Sequence, residues 1–548
     1  MLKETALSLL LAGGLVMPAM AADTGAWLQS WEVRAVRLQN HIDQRVSMNR
    51  AVYPATHNSF NSAAYANWSG RYAFPNHVLS IRDQLDAGIR AIEMDAHWSF
   101  HSSWSAMRMD LKLCHGTDSH LGCHPNDRLL EEGLSELADW LRANPEEVVL
   151  LYIEDKMSGH QDKAISLLNR LLGDRLYTPR LHAPAARAAN QCVGLPHELS
   201  KAQVRAAGKN VLVMGADRGS CEYDWANYSF HQHFHITVDH KRLNAYPNCQ
   251  VGNGGGMAGP DLLQTNLVRA YNDAASSLND SMSAQTVADL VKCGVGAVAP
   301  EPLKPGSDHF KAQVWSWDVN QPDNSRANDP GGEHCAEQMS NGRLNDLACK
   351  AFQRRFACQA TQPVNGWDYD WRITRAAGVW QDGQAACQAE FGAQGYAFAM
   401  PANGYENARL RDAANAAGAG GVWVNYADLE AEGKWMAYRP VYAVWQSAQT
   451  DRGCARLDAD GYRSSACDQR KRFACQEFGT GNWRLSRSAE IFGKGDEVCR
   501  NEFGWRYALS APANHQQFEA LLADPQARDV WVNLRHPGSV GVMLPAER

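Results

Sequence analysis

No block of five or more like charges occurs in this 548-residue sequence, in which 53 Lys and Arg stand against 60 Asp and Glu for a formal net charge of −7. A surface that tracks phosphate backbones is thereby excluded, and nucleic acid with it as a partner. A hydrophobic run of the roughly 20 residues that a bilayer crossing needs is also missing. The apolar run Ala6–Val16 lies behind Lys3 and ahead of Ala19-Met20-Ala21. It is too short for an anchor and reads as a signal peptide over residues 1–21, cleaved after Ala21 or Ala22, which sends the chain to the periplasm or out of the cell. No Cys-x-x-Cys pair is present among the 14 Cys, so zinc spacing is absent. In an exported chain these Cys form a disulfide framework instead. With 45% hydrophobic residues and 18 Trp the chain can bury large cores. About 525 mature residues correspond to three or four domains.

A repeat organises the C-terminal part. WRITRAAGVWQDGQAACQAEFG from Trp371 matches WRLSRSAEIFGKGDEVCRNEFG from Trp483, bringing Cys387 onto Cys499, and Trp423-Val424-Asn425 matches Trp531-Val532-Asn533. Cys335, Cys349 and Cys358 likewise recur as Cys454, Cys467 and Cys475. The expected organisation is a second half over 316–362, a complete unit over 366–477, and a first half over 482–548 that could complete the first of these. Before about residue 310, β-rich runs such as RAIEMDA, VVLLYI, NVLVMG, FHITVD and QVWSW alternate with helical stretches such as RLLEEGLSELADWLRAN. That alternation predicts an α/β domain over 25–315, a parallel barrel in size and pattern.

Four of the strand-like runs end in polar residues. AVYPATHNSF carries His57 and Asn58, GIRAIEMDAHW carries Glu93 and Asp95, MRMDLKLCHG ends at His115, and EEVVLLYIEDK ends in Glu154-Asp155-Lys156. Strand tips of a parallel barrel point into the mouth where catalytic groups collect. Glu93 and Asp95, at i and i+2, share one strand face about 7 Å apart. One amide and three carboxylates make an oxygen-ligand site of the kind that holds Ca²⁺, and two His beside it can serve as base and acid. Arg90 reads as a structural cation paired to a neighbouring helix, and Lys156 as an ordinary exposed lysine. His231, His233 and His235 read as a polar stripe lining the barrel rather than a zinc site. Cys114 with Cys123 is the local bridge of the barrel; the pairing of Cys192, Cys221, Cys249 and Cys293 is open, apart from a rival in which Cys358 bonds Cys293.

Taken in order, ATHNSF, QLDAGIRAIEMD, CHG and the strand ending in IED resemble the X domain of phosphoinositide-specific phospholipase C, a (β/α)8 barrel. The Glu-x-Asp pair, the Asn after the first His and the Glu on the fourth strand resemble its calcium-dependent bacterial branch, whereas metal-independent members have Arg at the position of Asp95. The resemblance implies Ca²⁺ held by Asn58, Glu93, Asp95 and Glu154. It implies that His57 contacts the phosphoryl group and helps stabilise its charge, that a metal-activated inositol hydroxyl attacks phosphorus, and that His115 protonates the departing diacylglycerol oxygen. No cluster of Lys and Arg is found on the later strands, which points to an unphosphorylated or glycosylated phosphatidylinositol head group at a membrane surface. Glycerophosphodiesterase or sphingomyelinase-D-like activity is the enzymatic alternative, and a lectin or adhesin with an inactive barrel is the other.

The C-terminal Cys pattern, with its Trp-Val-Asn strand and FACQ end, resembles C-type lectin-like domains of α+β architecture. The resemblance implies Cys387 bonded to Cys475 and Cys454 bonded to Cys467, and in the assembled half-units Cys358 bonded to Cys499. It further implies a Ca²⁺ and carbohydrate site at Gln321, Asp323, Glu333, Asn345 and Asp346 in the first half-unit, with a Gln-Pro-Asp tripeptide of the galactose type. The central unit lacks those residues and reads as a structural or protein-binding copy.

Overall fold

The computed structural model describes residues 24–535 apart from 68, 104–105, 216–220, 232–235, 276–279, 330, 439–452, 460 and 479. The expected signal peptide over 1–21 lies outside the described residues, as do His233 and His235. Among the described residues no helix is long and apolar enough to cross a membrane.

The N-terminal domain alternates strands and helices. The elements that build and cover its sheets include α1 (Trp31–Ile42), α2 (Ile81–Asp86), β1 (Ala91–Ser103), β2 (Ala106–Leu113), α3 (Leu130–Ala143), β3 (Val149–Lys156), α4 (Gln161–Leu171), β4 (Val211–Gly215), β5 (Ser229–His231), β6 (Ile236–Thr237), β7 (Val268–Tyr271), α5 (Ala284–Lys292) and β8 (Ala297–Ala299). β1, β3, β4 and β5 pair in parallel in that order, and β6, β7 and β8 form a second parallel sheet. Residues 53–55 join the two: Ala55 bridges Ala91 in parallel, while the Tyr53 and Ala55 amides donate to Gly296 and Val298. No pairing of β5 with β6 is recorded among the described residues, so the barrel-type arrangement stays open there. Gln313–Trp317, expected as a strand, contributes only an isolated bridge from Trp317 to Leu344.

Strand periodicity divides the core. Val149, Leu151 and Ile153 pack outward with Leu134, Leu137 and Leu141 of α3, whereas Leu150 and Tyr152 face inward with Tyr53, Leu212, Met214, Phe230 and Leu267. A strand of a parallel sheet is covered on both faces and so reads as an unbroken apolar run; here the run gives way to polar residues only at the tip, Glu154 to Lys156. Arg90 is structural as expected, donating to Glu147 at 2.8 Å and to the Leu85 and Ile89 carbonyls at 2.8 Å.

The C-terminal boundaries differ from expectation. One module holds β9 (Cys335–Met339), β10 (Leu344–Leu347), β11 (Arg354–Ala360), β12 (Trp371–Gly378), α6 (Gly383–Phe391), β13 (Tyr396–Phe398), α7 (Gly404–Ala416) and β14 (Gly421–Ala427). The next repeats it with β15 (Gly453–Asp458), β16 (Gly461–Ala466), β17 (Arg472–Glu477), β18 (Trp483–Leu485), α8 (Gly495–Phe503), β19 (Tyr507–Leu509), α9 (His515–Leu522) and β20 (Val530–Arg535). Their sheets have the same order, β10-β9-β14-β11-β12 and β16-β15-β20-β17-β18. Each second half is thus completed by the first half that follows it. Units at 316–362, 366–477 and 482–548 do not form, and the C-terminal end does not complete the first half-unit.

The reason is local. β11 turns back into β12, placing Cys358 opposite Arg372 and Gln359 opposite Trp371, and closing a short segment costs less chain entropy than joining distant halves. The disulfides follow: Cys358 bonds Cys387 across 29 residues and Cys475 bonds Cys499 across 24. The implied Cys387–Cys475 and Cys358–Cys499 bonds are therefore corrected, as is the rival from Cys358 to Cys293. Cys454–Cys467 and Cys114–Cys123 form as expected; Cys335–Cys349, Cys192–Cys221 and Cys249–Cys293 complete the set. Loops of this length stabilise by roughly 3–4 kcal/mol each in the chain-entropy account. The first module is fixed to the barrel domain by the Arg50–Glu406 ion pair at 2.7 Å and by Asn403 donating to Gln264 at 3.1 Å.

Candidate active site

Alternation along the inward strand faces builds the site in layers. In register, Glu93 lies beside Tyr152 and, two residues on, Asp95 beside Glu154. Arg269 lies beside Ala297 and Tyr271 beside Ala299; continuing each stripe by two residues gives Asp273 and Glu301. The upper layer opens into a cleft of about 800 Å³ lined by His57, Asn58, Asp95, His115, Glu154, Lys156 and Asp273, among others. The tertiary structure thus brings together five of the six residues singled out for catalysis and metal binding. Glu93 sits one layer lower, facing the barrel interior with Tyr152 and Arg269.

Each histidine has a carboxylate. His57 Nδ1 is 2.7 Å from Glu301 Oε1, and its ring stacks on Tyr271 with centroids 4.3 Å apart. Glu301, whose side chain is fully buried, also accepts from Asn76 Nδ2 at 2.9 Å and the Ala274 amide at 2.8 Å. His115 Nε2 lies 3.5 Å from Asp273 Oδ2, on a loop stapled by Cys114–Cys123 directly after β2. Burial works against the His57 imidazolium, but the nearby Glu93 and the hydrogen bond to Glu301 outweigh it and hold the pKa above its ordinary value.

The carboxylates divide by environment. Burial opposes ionisation of Glu93, yet Arg269 and His57 keep its carboxyl below the usual range. Arg269 is half-buried, ion-paired to Glu93 and flanked by Tyr152 and Tyr271, whose rings lie 4.8 and 4.5 Å from its guanidinium. Burial, then Glu93, then Glu154 push Asp95 well above the carboxylate range. Lys156 ion-pairs with Glu154 at 2.9 Å and donates to the Gly116 carbonyl at 2.9 Å. Among the described residues, Asn58 Oδ1 and Asp95 Oδ1 are buried without a hydrogen-bond partner. Two unpartnered oxygens at the Asp95–Glu154 carboxylate pair, which Lys156 compensates with a single charge, suit a hard cation.

Arg269, Asp273 and Glu301 were not anticipated from the sequence. Their signal was there: VRAYND and AVAPEP carry the period-two pattern that singled out RAIEMD.

In the first C-terminal module, Asp323, Glu333 and Asp346 converge with ligand atoms within 4.8 Å of one another. Gln321 Oε1 is buried and without a partner among the described residues. Asp346 accepts from the Asp323 and Asn324 amides at 3.1 and 2.8 Å. Asn345 is directed elsewhere, to Glu337 at 3.4 Å, as its neighbouring position on β10 requires.

Residues 15–301 match the family model described as the Rv2075c PI-PLC-like domain. Two relatives from Mycobacterium tuberculosis, the uncharacterized proteins Rv2075c (strain H37Rv) and MT2135 (strain CDC 1551), are each 30% identical over 427 residues, which is 73% of this chain and 80% of theirs. Among solved structures, the phosphatidylinositol-specific phospholipase C of Listeria monocytogenes is 15% identical, with 51% of this chain and 98% of that one covered and a TM-score of 0.33. A calcium-dependent phosphoinositol-specific phospholipase C from Pseudomonas sp. is 13% identical, with 50% and 96% covered and a TM-score of 0.26.

Proposed function

This chain belongs to the family of the Rv2075c PI-PLC-like domain, and from that premise we propose that its N-terminal domain is a phosphodiesterase cleaving the glycerol–phosphate bond of phosphatidylinositol-type lipids. The observation that carries the reading is the pair of histidines, each on its own carboxylate, on one cleft. Glu301 accepts from Nδ1 of His57, so that Nε2, 3.4 Å from Asn58 Nδ2 and 3.9 Å from Glu93 Oε2, is the nitrogen that takes the proton of the attacking inositol hydroxyl. His115, oriented by Asp273, protonates the glycerol oxygen as the bond to phosphorus breaks. Lys156 adds positive charge beside the phosphoryl oxygens.

Asn58, Asp95 and Glu154 would hold Ca²⁺, with Glu93 beneath them, and the bound ion would supply charge to the phosphoryl oxygens. The unpartnered oxygens of Asn58 and Asp95 support this assignment. Arg269 is the competing source of positive charge, since its guanidinium already compensates Glu93. The test is product release from phosphatidylinositol, set within a panel that includes glycerophosphodiesters and sphingomyelin, with and without chelator. Loss of turnover in His57→Ala and under chelation is expected. Turnover that survives chelation would transfer the metal's role to Arg269, and no turnover of any lipid would refute the enzymatic reading in favour of an adhesin.

For the first C-terminal module we propose Ca²⁺-dependent carbohydrate binding of the C-type lectin kind, supported by the convergence of Asp323, Glu333 and Asp346. Glycan binding lost in Asp323→Ala is expected, and binding indifferent to Ca²⁺ would refute it. Seven disulfides fit an oxidising compartment. Delivery there by cleavage after Ala21 or Ala22 is checked by N-terminal sequencing of the exported protein.

A further inference from the structure

The outward stripe of β7 ends on a polar residue. Val268 and Ala270 are fully buried in the main apolar core, and Asn272, next on that stripe and just past the strand's end, is 0% exposed as well. An amide buried this completely is costly unless its donor and its acceptor are both used. Asn272 uses both: Oδ1 accepts from the Glu301 amide at 2.9 Å, and Nδ2 donates to the Asp280 carbonyl at 3.0 Å.

Each bond ends on a segment carrying one of the two carboxylates that orient the histidines. Glu301 is the partner of His57. Asp280 closes the segment that carries Asp273, the partner of His115: its Oδ2 accepts from the Asp273 amide at 2.8 Å, and its other oxygen is tethered by Lys241 at 2.8 Å. The backbone pairing of β7 with β8 stops at Tyr271 opposite Ala299, two residues short of both carboxylates. Where the ladder ends, the Asn272 side chain takes over. From the other side Asn76 Nδ2 lies between the same two carboxylates, 2.9 Å from Glu301 Oε2 and 3.4 Å from Asp273 Oδ1. Asn272 has no exposed surface and so reaches no substrate.

We infer that Asn272 is a positioning residue that sets both histidine–carboxylate pairs at once, holding the partner of His57 through the Glu301 amide and the partner of His115 through Asp280. The inference rests on the phosphodiesterase reading of the cleft, in which His57 takes a proton and His115 gives one. The two arms differ in chemistry. Base function is needed whatever group leaves phosphorus, whereas a proton from His115 matters only for a leaving group as basic as the glycerol oxygen. Misalignment of a catalytic group by about 1 Å costs roughly 10²-fold in rate.

The test compares the full-length wild type with Asn272→Leu, which keeps the volume and removes both bonds, and with Asp280→Ala, which removes only the arm to Asp273. Turnover is measured on phosphatidylinositol and on the p-nitrophenyl ester of inositol phosphate, whose phenolate departs without a proton. Asn272→Leu is expected to lose about 10²-fold in kcat on both substrates, with KM changed less than about threefold. Asp280→Ala is expected to lose at least about tenfold on the lipid and less than about threefold on the aryl ester. A second readout needs no substrate: the low-field NMR resonance of the proton between His57 and Glu301, assigned by its absence in His57→Ala, is expected to persist in Asp280→Ala and to be lost in Asn272→Leu. Wild-type kcat in Asn272→Leu, or an unmoved resonance there, overturns the inference. Equal losses on the two substrates in Asp280→Ala also overturn it, because plain damage does not distinguish leaving groups. Should Asn272→Leu fail to fold, Asp280→Ala, at a partly exposed position, decides by the same comparison of substrates. No turnover of any phosphodiester by wild type, with the resonance lost in Asn272→Leu, refutes the enzymatic reading and upholds Asn272 as the residue that sets the His57–Glu301 pair.

Discussion

Replacing Glu301 by Gln keeps the size of a fully buried side chain and removes its charge. The carboxylate only accepts hydrogen bonds, so it fixes the proton of His57 on Nδ1 and leaves Nε2 as the basic nitrogen. A glutamine must satisfy the Asn76 and Ala274 donors with its oxygen; its amide nitrogen then donates toward Nδ1, and the imidazole is held in the tautomer whose Nε2 already carries hydrogen. General base function contributes roughly 10²- to 10⁴-fold, and kcat is expected to fall within that range. The pH profile separates this from mere damage. Because Glu93 and Glu301 hold the His57 pKa above 6.5, wild-type kcat/KM rises as pH rises through that elevated value, and E301Q shifts this limb to lower pH.

Stability gives the control. A raised histidine pKa contributes stability that is fully present below 6.5 and lost as pH rises through the folded-state value. The thermal destabilisation of E301Q, about 1.5–3 kcal/mol from the lost charge-assisted bonds, is accordingly expected to be larger at acid pH than at alkaline pH. Residual activity near wild type with an unshifted acid limb would refute the assignment of His57 as base.

Arg269→Met takes the ion-pair partner from the buried Glu93 and leaves His57, 3.9 Å away, as the remaining positive group, and chemical denaturation is expected to show up to about 3–5 kcal/mol of lost stability, largely recovered in R269M/E93L; a cost below about 1 kcal/mol would show that the pair is solvated. Glu147, opposed by burial but stabilised by Arg90, is held down to about 2 from an ordinary value of 4.5. Its contribution, about 3 kcal/mol, is present above pH 4.5 and lost as pH falls toward 2, so Glu147→Gln should flatten the acid limb of a stability–pH curve, and an unchanged limb counts against the pair. Non-reduced peptide mapping is expected to link Cys358 to Cys387 and Cys475 to Cys499; a peptide joining Cys387 to Cys475 would restore the repeat boundaries read from the sequence.

The amino-acid sequence by itself carried the strand tips. A buried parallel strand is apolar where it packs and turns polar toward its tip, so His57-Asn58, Asp95, His115 and Glu154 stood out in the sequence, with Glu93 two residues back on the same face of β1, and the alternation of runs pointed to the barrel-type domain. Only the tertiary structure supplied their partners. Glu301 lies 244 residues from His57, and Arg269 lies 176 from Glu93; nothing local distinguishes such carboxylates and cations from surface ones until the sheet sets them side by side. The same holds for the repeat. Its halves were legible as similar segments, but which half completes which depended on β11 folding back on β12, a hairpin whose register exists only once the strands are paired.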